Sequence, residues 1–222
     1  MEVRVARFVD GAREARGRAV IVDVFRAFTT AAFCVAAGAR EVVLVADHEQ
    51  ALAMKAADPR LFLTGEIGGR PIPGFDVGNS PSAIHGRDLT GRRVVQRTSA
   101  GTQGVVAASG ADEILLGSLV IAGATVRYLL ARPGDVTIVA MGHRAEEPSD
   151  EDEAGAELLA ALLRGEQAVL RPIRLEADHD PRGWPDWFPR RDAELAMEVD
   201  RFAFALPVTR EDGLLVARAV YV

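Results

Sequence analysis

The chain has 222 residues, 49% apolar and 26% charged, with 26 Lys and Arg against 32 Asp and Glu and a net charge of −6. A chain of this length buries roughly 70% of its extended surface without disulfides or a structural metal, and its acidic balance argues against sequence-independent nucleic-acid binding, which needs a basic face to displace counterions. One cysteine, Cys34, excludes an internal disulfide and a multi-cysteine metal site, and one lysine, Lys55, leaves arginine, backbone N–H groups or a divalent cation to recognise anions.

No apolar run approaches the ~20 residues of a membrane span, and the first residues lack an apolar signal core. The expectation is a cytoplasmic protein with neither membrane nor nucleic acid as partner. The composition leaves the oligomeric state open, a homo-oligomer included.

RAVIVDVF is a β-branched run of strand length that leads through RAFTT into AAFCVAAGA, which predicts strand, polar turn and helix. Thr29 or Thr30 falls near the helix start and Gly38 just past its end. EVVLVAD is a second buried strand, and HEQALAMKAAD a short helix that stops before Pro59. Residues 61–81, LFLTGEIGGRPIPGFDVGNSP, read as one short strand followed by a long loop dense in Gly and Pro, a kind of segment that is usually functional.

The pattern then returns. GRRVVQRTSAGTQGVVAASGADEILLGS parallels GRAVIVDVFRAFTTAAFCVAAGAREVVLVAD, and in both a helix ends in Gly-Ala and a strand opens at Glu, as at Gly38 and Gly110. This predicts an internal pseudo-repeat over about 18–47 and 91–118. A third unit follows at DVTIVAMGHR and SDEDEAGAELLAALLRG, where Ser149 or Asp150 can cap a helix with an acidic first turn. After Leu170 the chain is irregular, with Pro172, Pro181, Pro185 and Pro189 and both tryptophans, before RDAELAMEVDRFAFALPV predicts a helix running into a strand and EDGLLVARAVYV a closing hairpin strand. The expected architecture is one α/β unit, a three-layer α/β/α arrangement with a mostly parallel sheet and duplicated β-α-β units.

Ligands of parallel sheets bind beyond the carboxyl ends of strands, where helix N-termini point their N–H groups. If the strands are parallel, Asp23, Arg26, Thr98, Ser99 and the acids near Glu151 approach one crevice, suited to an oxyanion with a metal beside it. Asp23 ends an apolar strand and reads as a hard-metal ligand or general base, or else as a strand-end acid that pairs with Arg26 or caps the next helix. Arg26 could fork onto a phosphate or sulfonate, or simply pair with Asp23. Glu66 and Asp76 suit the oxygen octahedron of Mg²⁺, although Asp76 and Asn79 also suit ordinary side-chain turns. Glu151 and Asp152 need no reason beyond a helix dipole. Of four histidines, His143, on the third strand-to-helix loop, is the best functional candidate, and none shows metal-binding spacing.

Cys34 to Arg40 satisfies the C-x5-R formula of cysteine phosphatases, but Cys34 lies inside an apolar helix rather than at a strand end, so a buried, inert thiol is expected. No G-x-S-x-G elbow or Walker loop is present, and the D-x-D formula fails at Asp23 because position 25 is Phe.

The strings VIVDVFRAFTTAA, TGEIGGRPIPGFDVGNSP, TSAGTQGV with GADEILLGS, and SDEDEAGAELLAALLRG, together with the ending DRFAFALPV, resemble the successive motifs of the 2-phosphosulfolactate phosphatase family. The resemblance implies a Mg²⁺-dependent phosphatase that converts 2-phospho-3-sulfolactate to 3-sulfolactate and phosphate in coenzyme M synthesis. The motif positions it carries over are Asp23, Arg26, Thr29, Thr30, Glu66, Gly74, Asp76, Gly78, Asn79, Ser80, Gly101 and Thr102. The second turn departs from the family's Thr-Thr-Asn-Gly-Thr, reading Thr98-Ser99-Ala100-Gly101-Thr102.

On this reading Asp23, Arg26 and Asn79 are expected to serve catalysis. Thr29, Thr30, Ser80, Thr98, Ser99, Gly101 and Thr102 would bind a small phosphorylated acid, and two or three of Asp23, Glu66, Asp76 and Asp152 would hold Mg²⁺. The alternatives are an anion-binding protein without catalysis, which Ala100 favours, and a phosphatase for a different small phosphomonoester.

Overall fold

The strand Arg18–Val22 is buried at every position, as a central strand covered on both faces must be, and the rest of the fold is arranged about it. A computed structural model describes residues 1–180 and 182–222; Pro181, one of the prolines of the irregular segment, lies outside the described residues. In chain order the elements are β1 (Val3–Arg7), α1 (Phe8–Glu14), β2 (Arg18–Val22), α2 (Ala27–Ala36), β3 (Glu41–Leu44), α3 (His48–Ala57), β4 (Phe62–Ile67), β5 (Arg70–Pro71), β6 (Val77–Gly78), α4 (Pro81–Ile84), β7 (Arg93–Arg97), α5 (Gly101–Ala107), β8 (Glu113–Gly117), α6 (Ala122–Leu130), β9 (Val136–Ala140), α7 (Asp150–Leu163), α8 (Arg190–Ala196), β10 (Phe204–Glu211), β11 (Leu214–Ala217) and β12 (Val220–Tyr221).

The strands form one sheet in the order β1-β9-β2-β8-β10-β11-β3-β7-β4-β5, with β12 on β10 and β6 on β4. β1, β9, β2 and β8 are mutually parallel, as are β3, β7 and β4. Between these two blocks stands the antiparallel hairpin of β10 and β11, so the second block runs opposite to the first. The repeated units, β2-α2-β3 and β7-α5-β8, thus each place one strand in each block, with β2 beside β8 and β3 beside β7.

Alternation along the strands builds three layers. Ile21, Leu44, Val94 and Leu116 share one core with α2, including Phe28 and Ala31. On the other face Val20, Leu115 and Ile138 pack under Val126 of α6 and Leu159 of α7, while Val43, Leu63 and Val95 pack under Ala51 of α3. Nine residues of α2, Ala27 to Val35, are buried, which an apolar helix without a polar face requires. Cys34 is among them, and burial pushes its thiol up to about 12, so the C-x5-R string is structural.

Four elements lie outside the sequence reading: β1, α1, α4 and α6. The 61–81 segment also holds more order than a single strand and loop, because β4 extends to Ile67 and turns back at Gly68 and Gly69 into β5. Glu66 therefore sits on a strand rather than in a loop. Among the described residues no helix is long and apolar enough to cross a membrane.

Candidate active site

Although β2 and β7 are four strands apart and run in opposite senses, their carboxyl ends meet. Twist accumulating across a wide sheet curls diagonal corners toward the same face, and here it carries the start of α5 onto the start of α2. Gln96 of β7 donates to the Ala27 carbonyl at 2.7 Å. A Cβ on Gly101 would lie 2.8 Å from Asp23 Oδ2 and 2.7 Å from the Ala27 Cβ, so glycine is required at 101 by space.

Asp23 is buried just beyond β2. Its Oδ1 accepts the Ala27 N–H at 2.9 Å, and the nearby Gly101 N–H also favours the ionised carboxylate. Desolvation, with Glu66 adding repulsion, still pushes its pKa up to about 6. Asp152, 2% exposed, reaches from α7 to accept Val24 N–H at 2.6 Å and Gly142 N–H at 2.8 Å. It fixes the first turn against the β9–α7 loop. Desolvation and the charges of Asp23 and Glu151 raise its pKa well above the usual carboxylate range. Desolvation likewise raises Glu151 to about 7, with Asp23 and Asp150 contributing.

Glu66, at the end of β4, closes the other side. It accepts Ser99 N–H at 2.5 Å and Ser99 Oγ–H at 3.0 Å, together with Gly69 N–H at 2.6 Å. Buried Asp23, Glu66 and Asp152, with half-buried Glu151 beside them, thus form an acidic group centred on the charge of Asp23. The charge of Arg26 offsets that of Asp23 in part, but the guanidinium is committed elsewhere: its Nη1 donates to Asp192 Oδ2 and to the Trp187 carbonyl, both at 2.8 Å. Its guanidinium stacks 4.2 Å from the centre of the Phe188 ring.

A hard cation would suit this donor set. Among the described residues no three His, Cys, Asp or Glu side chains are placed to enclose a metal by themselves. Mg²⁺, however, commonly takes one or two carboxylates and completes its octahedron with water and substrate phosphate. The oxygen-only donors, and the repulsion a divalent charge would relieve, fit that ion.

The structure corrects several expectations. Asp76 is not in the crevice: it pairs with Lys55 of α3 at 2.5 Å and accepts Leu63 N–H at 2.7 Å, because it follows a loop packed on the α3 side of the sheet. Arg26 pairs with Asp192 rather than with Asp23, while its Nη2 donates to the Gly69 carbonyl at 3.4 Å, next to Glu66. Thr29 donates to the Val24 carbonyl at 2.8 Å and shares a hydrogen bond with Ser118 Oγ. Thr98 and Thr102 close each other's turn: Thr98 N–H donates to Thr102 Oγ1 at 2.8 Å and Thr102 N–H to Thr98 Oγ1 at 3.1 Å. Ser80 caps α4 and donates to Asp192 at 2.8 Å. Ser99 is tied to Glu66. These five hydroxyl side chains hold the turns in place. By contrast Thr30 Oγ1 and Asn79 Oδ1 are buried without a hydrogen-bond partner, an uncommon state for interior polar atoms. His143 is exposed beyond the group.

Asp192 is the residue that sequence reasoning missed. It is fully buried and accepts from Arg26, Ser80 and Ser82. Nothing in RRDAELA distinguishes it from an ordinary acid in a first helical turn.

Comparison with known proteins converges on one group. The family profile described as 2-phosphosulpholactate phosphatase matches residues 8–176. A Deinococcus radiodurans protein named "Probable 2-phosphosulfolactate phosphatase" is 41% identical over 147 residues, covering 65% of this chain and 61% of its own length. Proteins of the same name from Bacillus subtilis and Parasynechococcus marenigrum are 33% identical over 161 residues and 34% over 185, covering 71% and 82% of this chain and 68% and 75% of theirs. The chain therefore matches about three-fifths of the Deinococcus relative's own length.

Proposed function

Because the chain belongs to the 2-phosphosulpholactate phosphatase family, we propose that it is a phosphoric monoester hydrolase that acts, with Mg²⁺, on 2-phospho-3-sulfolactate or a closely similar small phosphorylated acid. The observation that carries this reading is the acidic group of buried Asp23, Glu66 and Asp152 with half-buried Glu151, gathered at the meeting point of two strand-to-helix turns and held by backbone N–H donors.

Asp23 with Asp152 or Glu151 would hold the ion, whose chemistry is to neutralise phosphoryl oxygens and acidify a bound water. The chain's own residues supply the rest. Asp23, held at the carboxyl end of β2 by the Ala27 N–H, would take the proton of an attacking water as the new oxygen–phosphorus bond forms and the ester oxygen–phosphorus bond breaks, the departing alkoxide taking a proton from solvent. Glu66 and Asp152 hold the two flanking turns through N–H bonds, so the reacting groups stay in register. Thr30 and Asn79, with unpartnered polar atoms, are available to a substrate in a way that Thr29 and Thr102 are not.

Phosphate release from a panel of small phosphomonoesters, 2-phospho-3-sulfolactate among them, tests the reading with Mg²⁺ and with EDTA. Metal-dependent release that is fastest for the sulfolactate ester is expected. Ala100, standing where the family carries an amide, favours a second reading, an anion-binding protein without turnover. In that case calorimetry with the same ester gives heat of binding while no phosphate appears.

A further inference from the structure

The substrate class named by the relatives carries two acidic groups, a carboxylate and a sulfonate, besides the phosphate. Resting on the family reading above, we infer that Arg144, in a groove between α1, α5 and the β9–α7 loop, recognises the sulfonate end of the substrate and so sets specificity.

The groove has a volume of about 630 Å³ and is lined by Ser99, Gln103, Val106, Arg13, Arg144 and Glu146 among others, which is the size expected of a small-molecule site. It opens beside the acidic group, because Ser99 is both a lining residue and the partner of Glu66. An anionic ligand there requires a free cation, and the neighbouring arginines are committed. Arg26 is held by Asp192, Arg97 by the Glu66 and Ala46 carbonyls, Arg7 by Glu153, and Arg13 by Asp10.

Arg144 makes no hydrogen bond or ion pair among the described residues. Its Nη2 lies 3.9 Å from where a Cβ on Gly68 would stand, which places the guanidinium at the rim between groove and crevice. Its backbone is held at φ +52°, followed by Ala145 at +61°, a conformation uncommon for side chains larger than glycine and one that gathers at functional sites. The loop is pinned there by Asp152 on Gly142 N–H and by His143 N–H to the Glu147 carbonyl at 2.7 Å. A guanidinium matches the three oxygens of a sulfonate through paired N–H donors. Glu146 on the same groove opposes an anion, so the attraction falls to Arg144.

The test compares kcat/KM for 2-phospho-3-sulfolactate with that for 2-phospholactate, which lacks the sulfonate, in the wild type, Arg144→Gln and Val106→Trp. In Arg144→Gln the preference for the sulfonated ester falls by about tenfold or more, carried by KM rather than kcat, as loss of one charged hydrogen-bonding partner predicts. Val106→Trp, which fills the groove, lowers the same ratio. A ratio unchanged within twofold in both variants overturns the assignment. If the wild type turns over neither ester, the catalytic reading fails separately, and titration with 3-sulfolactate decides the groove. Heat in the wild type that is lost in Arg144→Gln upholds Arg144, whereas equal heats, or none in the wild type, refute it.

Discussion

Asp23, Glu151 and Asp152 each hold a proton to a higher pH than an exposed carboxyl does, and this fixes the sign of a stability effect. A carboxyl whose pKa is higher in the folded state favours folding when protonated, so its contribution is present at low pH and declines as the pH rises through the folded value. With Asp23 at about 6 and Glu151 at about 7, the protein in EDTA should lose stability between roughly pH 4 and pH 7, the interval between ordinary carboxyl values and the raised ones. A shift of this size at Asp23 corresponds to roughly 2–3 kcal/mol, so a fall of about 5 °C in melting temperature is expected. Asp23→Asn keeps an acceptor for the Ala27 N–H and removes the repulsion. It should shrink that fall and abolish turnover, while Mg²⁺ should raise the wild-type melting temperature more at pH 8 than at pH 5. A melting temperature that does not fall with pH, or an active Asp23→Asn, contradicts the placement of Asp23. At this scale much of the site was legible: Asp23 is an acid at the end of an apolar strand, which costs too much without a purpose. Asp76 was not, since only the folded chain reveals Lys55 beside it.

At the level of elements, α8 does more than lead into β10. Its Asp192 ties the first turn to α4 by taking Arg26 on one oxygen and Ser80 and Ser82 on the other. Breaking a buried pair strands a charge, so Asp192→Ala should cost about 3–5 kcal/mol in urea unfolding, and Asp192→Asn less, because the amide oxygen can still accept from the serines. Equal stability of Asp192→Ala and the wild type would mean that Arg26 finds another partner. The helices read from periodicity were those with caps or strong flanking signals, such as α3, whose Asp47 accepts from Glu49 N–H. α6 was not read because it follows β8 through a buried 3-10 turn, Leu119–Ile121, where one apolar run spans two kinds of helix. Glu66 was read into a loop because a Gly-rich string does not show where a strand ends.

The whole molecule depends on its last twenty or so residues. Among the described residues β10 and β11 are the only strands that join the two parallel blocks, so a chain ending at Asp200 should lack cooperative melting and near-ultraviolet circular dichroism. Cooperative unfolding of that truncation would show that the blocks associate without the hairpin. The sequence by itself determined the α/β class, the β-α-β units and the acid at the end of β2, because these follow from local periodicity and from the cost of burying charge. The expected crevice assumed that the first and second turns lie on parallel strands. They lie on strands of opposite sense, and only the tertiary structure decides that they meet, since sheet curvature is a sum over many strands and no single segment encodes it. The same holds for Arg26, whose partner is 166 residues away, and for Arg144, whose freedom is defined by what every neighbouring arginine has already taken.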